Sequence, residues 1–282
     1  MALWGLLGAS DLAPGMALGP YRLHELINSG GMADLWLVSN QREEACALRL
    51  LHPRLRFNLR ARRRFIQGCE ILSRIHNHNQ VIEYQGHGKI DGRHYLLMEY
   101  VEGANMKEML NLSDPLLVDR VWEILRDMAL ALEHVHESGF MHLDYKPENL
   151  LLTRNGQLRL VDFDLAMPAP PRPARLKSYG GTFSYMAPEQ LLRQPVDHRA
   201  DVFAWGVTAY ELIARRRPFQ GETAEEVLRK QLDRSQDFLL PRELNPELSA
   251  AMEKVIMRCL ERDPDRRYPF MSVLIREMEA AP

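Results

Sequence analysis

Cysteine is scarce in this chain. There are three in 282 residues, Cys46, Cys69 and Cys259, too far apart for paired metal ligands. Their odd number argues against a disulfide framework and fits a reducing compartment. Net charge is nearly absent as well, with 36 Lys and Arg against 38 Asp and Glu, a balance of -2. A broad attraction to nucleic acid or to membranes is therefore not expected. No window approaches the roughly 20 apolar residues that cross a bilayer. The apolar patch Ala2-Leu3-Trp4-Gly5-Leu6-Leu7 is short and lacks a basic front, so residues 1–18 read as a leader outside the fold. No internal repeat is visible, and His76, His78, His87 and His94 show no ligand partner at helical spacing. What remains is a hydrophobic share of 46% and a charged share of 26%, enough for a core and a polar surface. The length suits one large domain or two small lobes. These limits predict a cytoplasmic protein with no nucleic-acid partner and no membrane span.

The most informative stretch is His142-Leu143-Asp144-Tyr145-Lys146-Pro147-Glu148-Asn149. Upstream, Ala129 to Val135 is apolar at helical spacing; downstream, Leu150-Leu151-Leu152 reads as a short buried strand. An acid, a base and an amide thus sit in a loop between two anchored elements. That set suits phosphoryl transfer: Asp144 to orient a hydroxyl nucleophile, Lys146 to neutralise the migrating phosphate, Asn149 to ligate a metal. Taken alone, the same eight residues also fit a polar loop that caps a helix.

Asp162-Phe163-Asp164 follows a second apolar run, and Ala187-Pro188-Glu189 lies beyond it. The three motifs in this order resemble the catalytic loop, metal-binding loop and activation-segment end of the eukaryotic-type Ser/Thr protein kinases, over about residues 19 to 280. The resemblance implies an α+β, two-lobed protein-kinase-like fold. A small β-rich N-lobe would span 19–100 and a larger helical C-lobe 101–282. It implies catalytic roles for Asp144, Lys146 and Asn149, and Mg²⁺ held by Asn149 and Asp162. It also implies ATP bound by Asn28, Gly30, Leu35, Ala47, Arg49, Glu99, Val101 and Leu151, with Met98 as gatekeeper. Thr182 would touch Asp144 and, with Lys146, marks the Ser/Thr class. Glu189 with Arg267, and Asp201 beneath the catalytic loop, would be scaffold. From Ala166 to Lys177 proline is dense and favours extended backbone; Ser178 and Tyr179 beyond it are candidate phosphate acceptors.

Several positions depart from the family pattern. Of three glycines expected between the first two strands, only Gly30 stands, with Asn28 and Ala33 at the outer positions. Arg49 replaces the phosphate-pairing lysine, a bulkier and forked cation. Gly68 stands where a helix glutamate would hold it, and Glu70 is about 200° around the helix. Leu143 replaces the arginine before the catalytic aspartate, and Asp164 replaces a glycine. A run of arginines from Arg54 to Arg64 fits a solvated helix start or a dock for an acidic or phosphorylated partner. One continuous helix is predicted from an Asp114 cap to Val135. The expected function is an ATP-dependent Ser/Thr protein kinase with an atypical nucleotide grip, acting on Ser/Thr hydroxyls of a protein substrate. The alternative is a pseudokinase that binds ATP or serves as a scaffold.

Overall fold

Alternating apolar residues build most of the first part of the chain. In the computed structural model, which describes residues 12–177, 179–233 and 238–281, two compact units form. Within the described residues they cover 12–77 with 82–102, and 78–81 with 103–281. Among the described residues the first unit holds six strands: β1 (Ala17–Leu18), β2 (Tyr21–Ser29), β3 (Ala33–Ser39), β4 (Ala45–Leu51), β5 (Tyr84–Ile90) and β6 (Arg93–Glu99). They pair antiparallel in the order β1-β2-β3-β4-β6-β5. Alternate residues Trp36, Val38, Cys46, Leu48 and Leu50 point to one face and form its core with Leu18 and Leu23. Helix α1 (Leu59–Ile75) starts at Asn58, whose side chain accepts the Ala61 N–H, and buries Phe65, Cys69, Leu72 and Ile75 at three- and four-residue spacing.

One expectation fails here. The sequence reading puts residues 1–18 outside the fold, yet Ala17 and Leu18 pair with β2, and Leu18 is buried. The Leu23 N–H donates to Met16 O (2.9 Å) and the Gly15 N–H to Leu23 O (2.8 Å), so the fold begins well before residue 19. A two-residue strand is too short to show periodicity. The apolar patch at residues 2–7 lies outside the described residues.

The second unit contains β7 (Gly103–Asn105), α2 (Met106–Leu112), α3 (Leu116–Asp119), α4 (Val121–Glu137), β8 (Phe140–Met141), β9 (Leu150–Thr153), β10 (Leu158–Leu160), β11 (Met167–Pro168), α5 (Pro188–Leu191), α6 (Arg199–Ala214), α7 (Ala224–Leu232), α8 (Pro241–Leu244), α9 (Ala250–Cys259) and α10 (Met271–Glu279). Helix α6 is buried on every side from Ala200 to Ile213, as an all-round apolar helix must be. Helix α4 packs one stripe, Leu125, Met128, Leu132 and Val135, into the core. The single helix predicted from Asp114 to Val135 is in fact broken at Arg120, whose backbone leaves the helical region (φ -124, ψ 28). There the Arg120 guanidinium donates to Asn155 O, a contact with no sequence signature. Asp114 does accept the Leu116 N–H (2.9 Å), so the start is as read and the continuity is not.

Strands β7, β9 and β10 form a small antiparallel sheet that flanks the loop carrying Asp144 to Asn149. Gly103 is required in it, because a Cβ there would lie 1.9 Å from Leu152 O. Among the described residues no helix is long and apolar enough to cross a membrane.

Candidate active site

Backbone pairing fixes the loop that carries Asp144. Upstream, β8 pairs Met141 with Met167 and Phe140 with Pro168 of β11. Below, the fully buried Asp201 of α6 accepts the N–H groups of His142 and Leu143, each at 2.8 Å, and a bond from His136 Nε2 at 2.9 Å. Burial pushes the Asp201 carboxyl up, but the bonded His136 and the Leu143 N–H outweigh it and hold it below the usual carboxylate range. Leu143 itself is held at φ 62, a strained conformation for a branched residue. The His142 ring accepts the Asp144 N–H at Nδ1 (3.3 Å) and donates from Nε2 to Val161 O (3.2 Å), which selects one neutral tautomer. Tyr145 donates to Met128 O (2.9 Å) and so ties the loop to α4.

The depressed pKa of Asp201 carries a pH prediction. Its contribution to stability is present above the unfolded carboxylate value, near pH 4, and is lost only as pH falls through the lower folded value. Asp201→Asn should therefore melt several degrees lower at neutral pH and show a flatter decline in acid than the parent. Parallel melting curves across the acid range would refute this.

On that platform the polar groups converge. Lys146 Nζ donates to Asp144 Oδ2 and to Thr182 Oγ1, both at 2.8 Å. Asp144 Oδ1 accepts the Thr182 N–H at 3.2 Å. The side chains of Lys146 and Asp144 remain 17% and 12% exposed, so the cluster is reachable. The Asn149 amide donates to Asp144 O (2.8 Å) and Oδ2 (3.2 Å), which turns its oxygen to the other side. Val161 N–H donates to Asn149 O at 3.0 Å, bringing Asp162 next to Asn149 in the chain path. Asp162 is held at φ 64, and its Oδ1 accepts the Asp164 N–H at 3.3 Å. Two hard oxygens, one amide and one carboxylate, fit a divalent cation that takes its remaining ligands from phosphate or water. Among the described residues no three His, Cys, Asp or Glu side chains cluster to hold a metal by themselves. Leu151 lies on β9 opposite Arg159 and Asn105 and is half-buried.

The segment after Asp162 is anchored at intervals. Beyond the β8–β11 pairing, Ala174 and Val196 exchange backbone bonds, and Tyr179 donates to Gln194 O (3.1 Å). Ser178 lies outside the described residues. Gly181 (φ 118) passes close to Asp144, with an added Cβ 3.3 Å from Asp144 Oδ1. Arg267 grips Glu189 with two bonds of 2.6 and 2.8 Å, as expected for this pair. Sequence reading missed a further group: Lys107 Nζ (2.7 Å) and Tyr185 Oη (2.6 Å) both donate to buried Glu211, and Gln231 holds Met186 O (2.9 Å). Lys107 and Glu211 are bonded across 104 positions, so no local spacing announces the group.

The first unit carries the other candidate positions. Asn28 pairs with Leu35 and Gly30 N–H donates to Ala33 O (3.0 Å) in the β2–β3 turn. Three carbonyls of that turn are claimed from outside it: Gly30 O by His52 Nε2 (2.7 Å), Gly31 O by Arg54 (3.1 Å) and Met32 O by His52 N–H (3.0 Å). Ala47 is buried between Leu37 and Met98. Arg49 lies between Leu35 and Leu96 in the sheet, its guanidinium 5.6 Å from the centre of the Phe65 ring. Gly68 is buried in α1 and Glu70 is exposed. Glu99 exchanges bonds with Glu83, and Val101 follows β6, half-buried.

Comparison with known proteins agrees with this geometry. Residues 21–277 match the model of the protein kinase domain. A probable serine/threonine-protein kinase of Streptomyces coelicolor is 30% identical over 270 residues, 93% of this chain and 40% of its own. A serine/threonine-protein kinase of Corynebacterium efficiens is 29% identical over 93% of this chain and 51% of its own. The serine/threonine-protein kinase PknE of Mycobacterium tuberculosis is 30% identical over 93% of this chain and 46% of its own. The chain thus spans about half the length of these relatives. With the two units, the braced loop and a match over nearly all of its length, the chain belongs to the protein kinase domain family.

Proposed function

We propose that the protein is a serine/threonine protein kinase that transfers the γ-phosphate of ATP to Ser/Thr hydroxyls of a protein substrate, in the cytoplasm. The observation that carries this is Lys146 Nζ bridging Asp144 Oδ2 and Thr182 Oγ1 at 2.8 Å each. A helix-capping loop has no use for that bridge, whereas a reacting hydroxyl does. Asp144 would accept the hydrogen bond of the acceptor hydroxyl, orient it, and hold its proton as the oxygen attacks. Lys146 would place its positive charge beside the oxygens on which negative charge is redistributed. Asn149 and Asp162 would hold Mg²⁺, which when bound neutralises phosphate charge. The Gly30 turn would offer backbone N–H groups to phosphate, with Asn28 tolerating its edge. Leu35 and Ala47 would supply apolar walls for adenine, and the backbone of Glu99 and Val101 its polar edge. Arg49 would face phosphate. Cys46, Cys69 and Cys259 are buried and not joined in a disulfide, which supports the reducing compartment.

A second reading, the pseudokinase, is favoured by one observation: Arg49 lies over Phe65, and buried Gly68 offers no carboxylate to redirect it. The two readings part in one experiment, incubation with γ-labelled ATP, Mg²⁺ and generic protein acceptors, beside thermal shift with ATP. On the kinase reading label is transferred, and the ATP shift needs Mg²⁺ and falls away in Asp162→Ala. A silent parent that gains activity in Arg49→Lys with Gly68→Glu would establish the pseudokinase instead.

A further inference from the structure

Between Glu44 and Glu70 the chain carries seven arginines and no acidic residue. Six of them fall in the eleven residues from Arg54 to Arg64, in a chain whose overall balance is -2. The structure adds what composition does not show. Phe57 is 80% exposed and Leu59 57%, close together at the entry to α1. Arg54, Arg56, Arg60 and Arg63 are exposed around them, and Arg60 and Arg63, three apart, share one face of the helix. Arg56 stacks its guanidinium 4.5 Å from the centre of the Phe57 ring, which braces the ring away from the core. Exposed apolar side chains of this size are ordinarily scattered; here two adjoin the most basic stretch of the protein.

We propose that Phe57, Leu59 and the surrounding arginines form a docking surface for an anionic phospholipid bilayer, with the two apolar side chains entering the interface and the arginines meeting headgroup phosphates. Protruding apolar groups ringed by cations suit a soft interface, where insertion and electrostatic attraction add. A second copy of this chain would bring like charges together. A nucleic acid would use the aromatic ring for stacking but has no use for Leu59. The inference does not depend on phosphoryl transfer, since none of these residues belongs to the proposed catalytic or nucleotide-binding set.

The test is sedimentation of the full chain with vesicles of phosphatidylcholine alone or of phosphatidylcholine and phosphatidylglycerol in equal parts, at low and high salt. Binding is expected only to the anionic vesicles, weakening with salt. Arg60→Gln with Arg63→Gln should weaken it about twentyfold. Phe57→Ser should weaken it about tenfold while leaving the salt dependence in place. Because these positions are exposed, melting temperature should not change. Equal binding to neutral vesicles, or binding indifferent to both sets of substitutions, overturns the proposal. Stronger capture of polyglutamate or a single-stranded oligonucleotide, with the same loss in the arginine variants and no vesicle binding, overturns it in favour of an acidic macromolecule.

Discussion

Asp144→Asn is expected to lower phosphate transfer about a thousandfold and to leave nucleotide binding nearly unchanged, since a positioned base contributes about a hundred- to ten-thousandfold. The effect is large because both Asp144 oxygens are committed. Oδ2 receives Lys146 Nζ and the Asn149 amide, and Oδ1 receives the Thr182 N–H. An amide keeps the shape but turns one acceptor into a donor. It would face either the Lys146 ammonium or the Thr182 N–H with a second donor, so it would also disturb the lysine whose charge the proposed reaction uses. Single-turnover transfer from γ-labelled ATP measures the loss, and an ATP-dependent thermal shift shows that the fold and nucleotide affinity persist. Unchanged transfer would remove Asp144 from the mechanism.

Arg267→Ala is expected to cost about 3 to 5 kcal/mol, because it strands a buried carboxylate. For a chain of this size that is a fall in melting temperature of about 10 °C. The Arg267 side chain is 0% exposed and that of Glu189 5%. Besides its two bonds to Glu189, the guanidinium donates to Glu261 O (2.8 Å), Arg199 O (3.0 Å) and Arg262 O (3.1 Å). Its face lies against Phe203, 4.9 Å from the ring centre. Arg267→Lys should rescue little, since one ammonium cannot serve carbonyls and a carboxylate in a fixed fork. Arg267→Met with Glu189→Met should be milder than Arg267→Ala, because no charge is left unpaired. A fall of less than about 3 °C in the alanine variant would mean that Glu189 finds other partners.

These residues are legible in the sequence for different reasons. Asp144, Lys146 and Asn149 sit within one loop and keep their order, so spacing alone suggests their chemistry. Asp162 and Glu189 emerge through motif order, and Asp201 and Arg267 only through the family resemblance, to which their bonds give physical meaning. The unforeseen features share a different character. The break at Arg120, the Lys107–Glu211–Tyr185 group and the inclusion of Leu18 in the sheet each depend on one side chain or strand meeting a distant partner. Periodicity carries no trace of such meetings, and hydropathy weighs a lysine on Glu211 the same as one in water. The hold of His52 on Gly30, 22 positions away, is equally silent.

That hold bears on how few glycines the first turn contains. A glycine-rich turn is loose in the free protein and must lose backbone freedom when something binds in it, a cost of about 1 to 2 kcal/mol for each residue fixed. Here Gly30, Gly31 and Met32 have their carbonyls bonded by His52 and Arg54, and Ser29 Oγ donates to the buried Asp34 at 2.6 Å. The ordering is therefore completed when the chain folds, and little of it is left to oppose association. Asn28 and Ala33 follow from the same arrangement, since a turn already set in one conformation has no need of the residues that permit many.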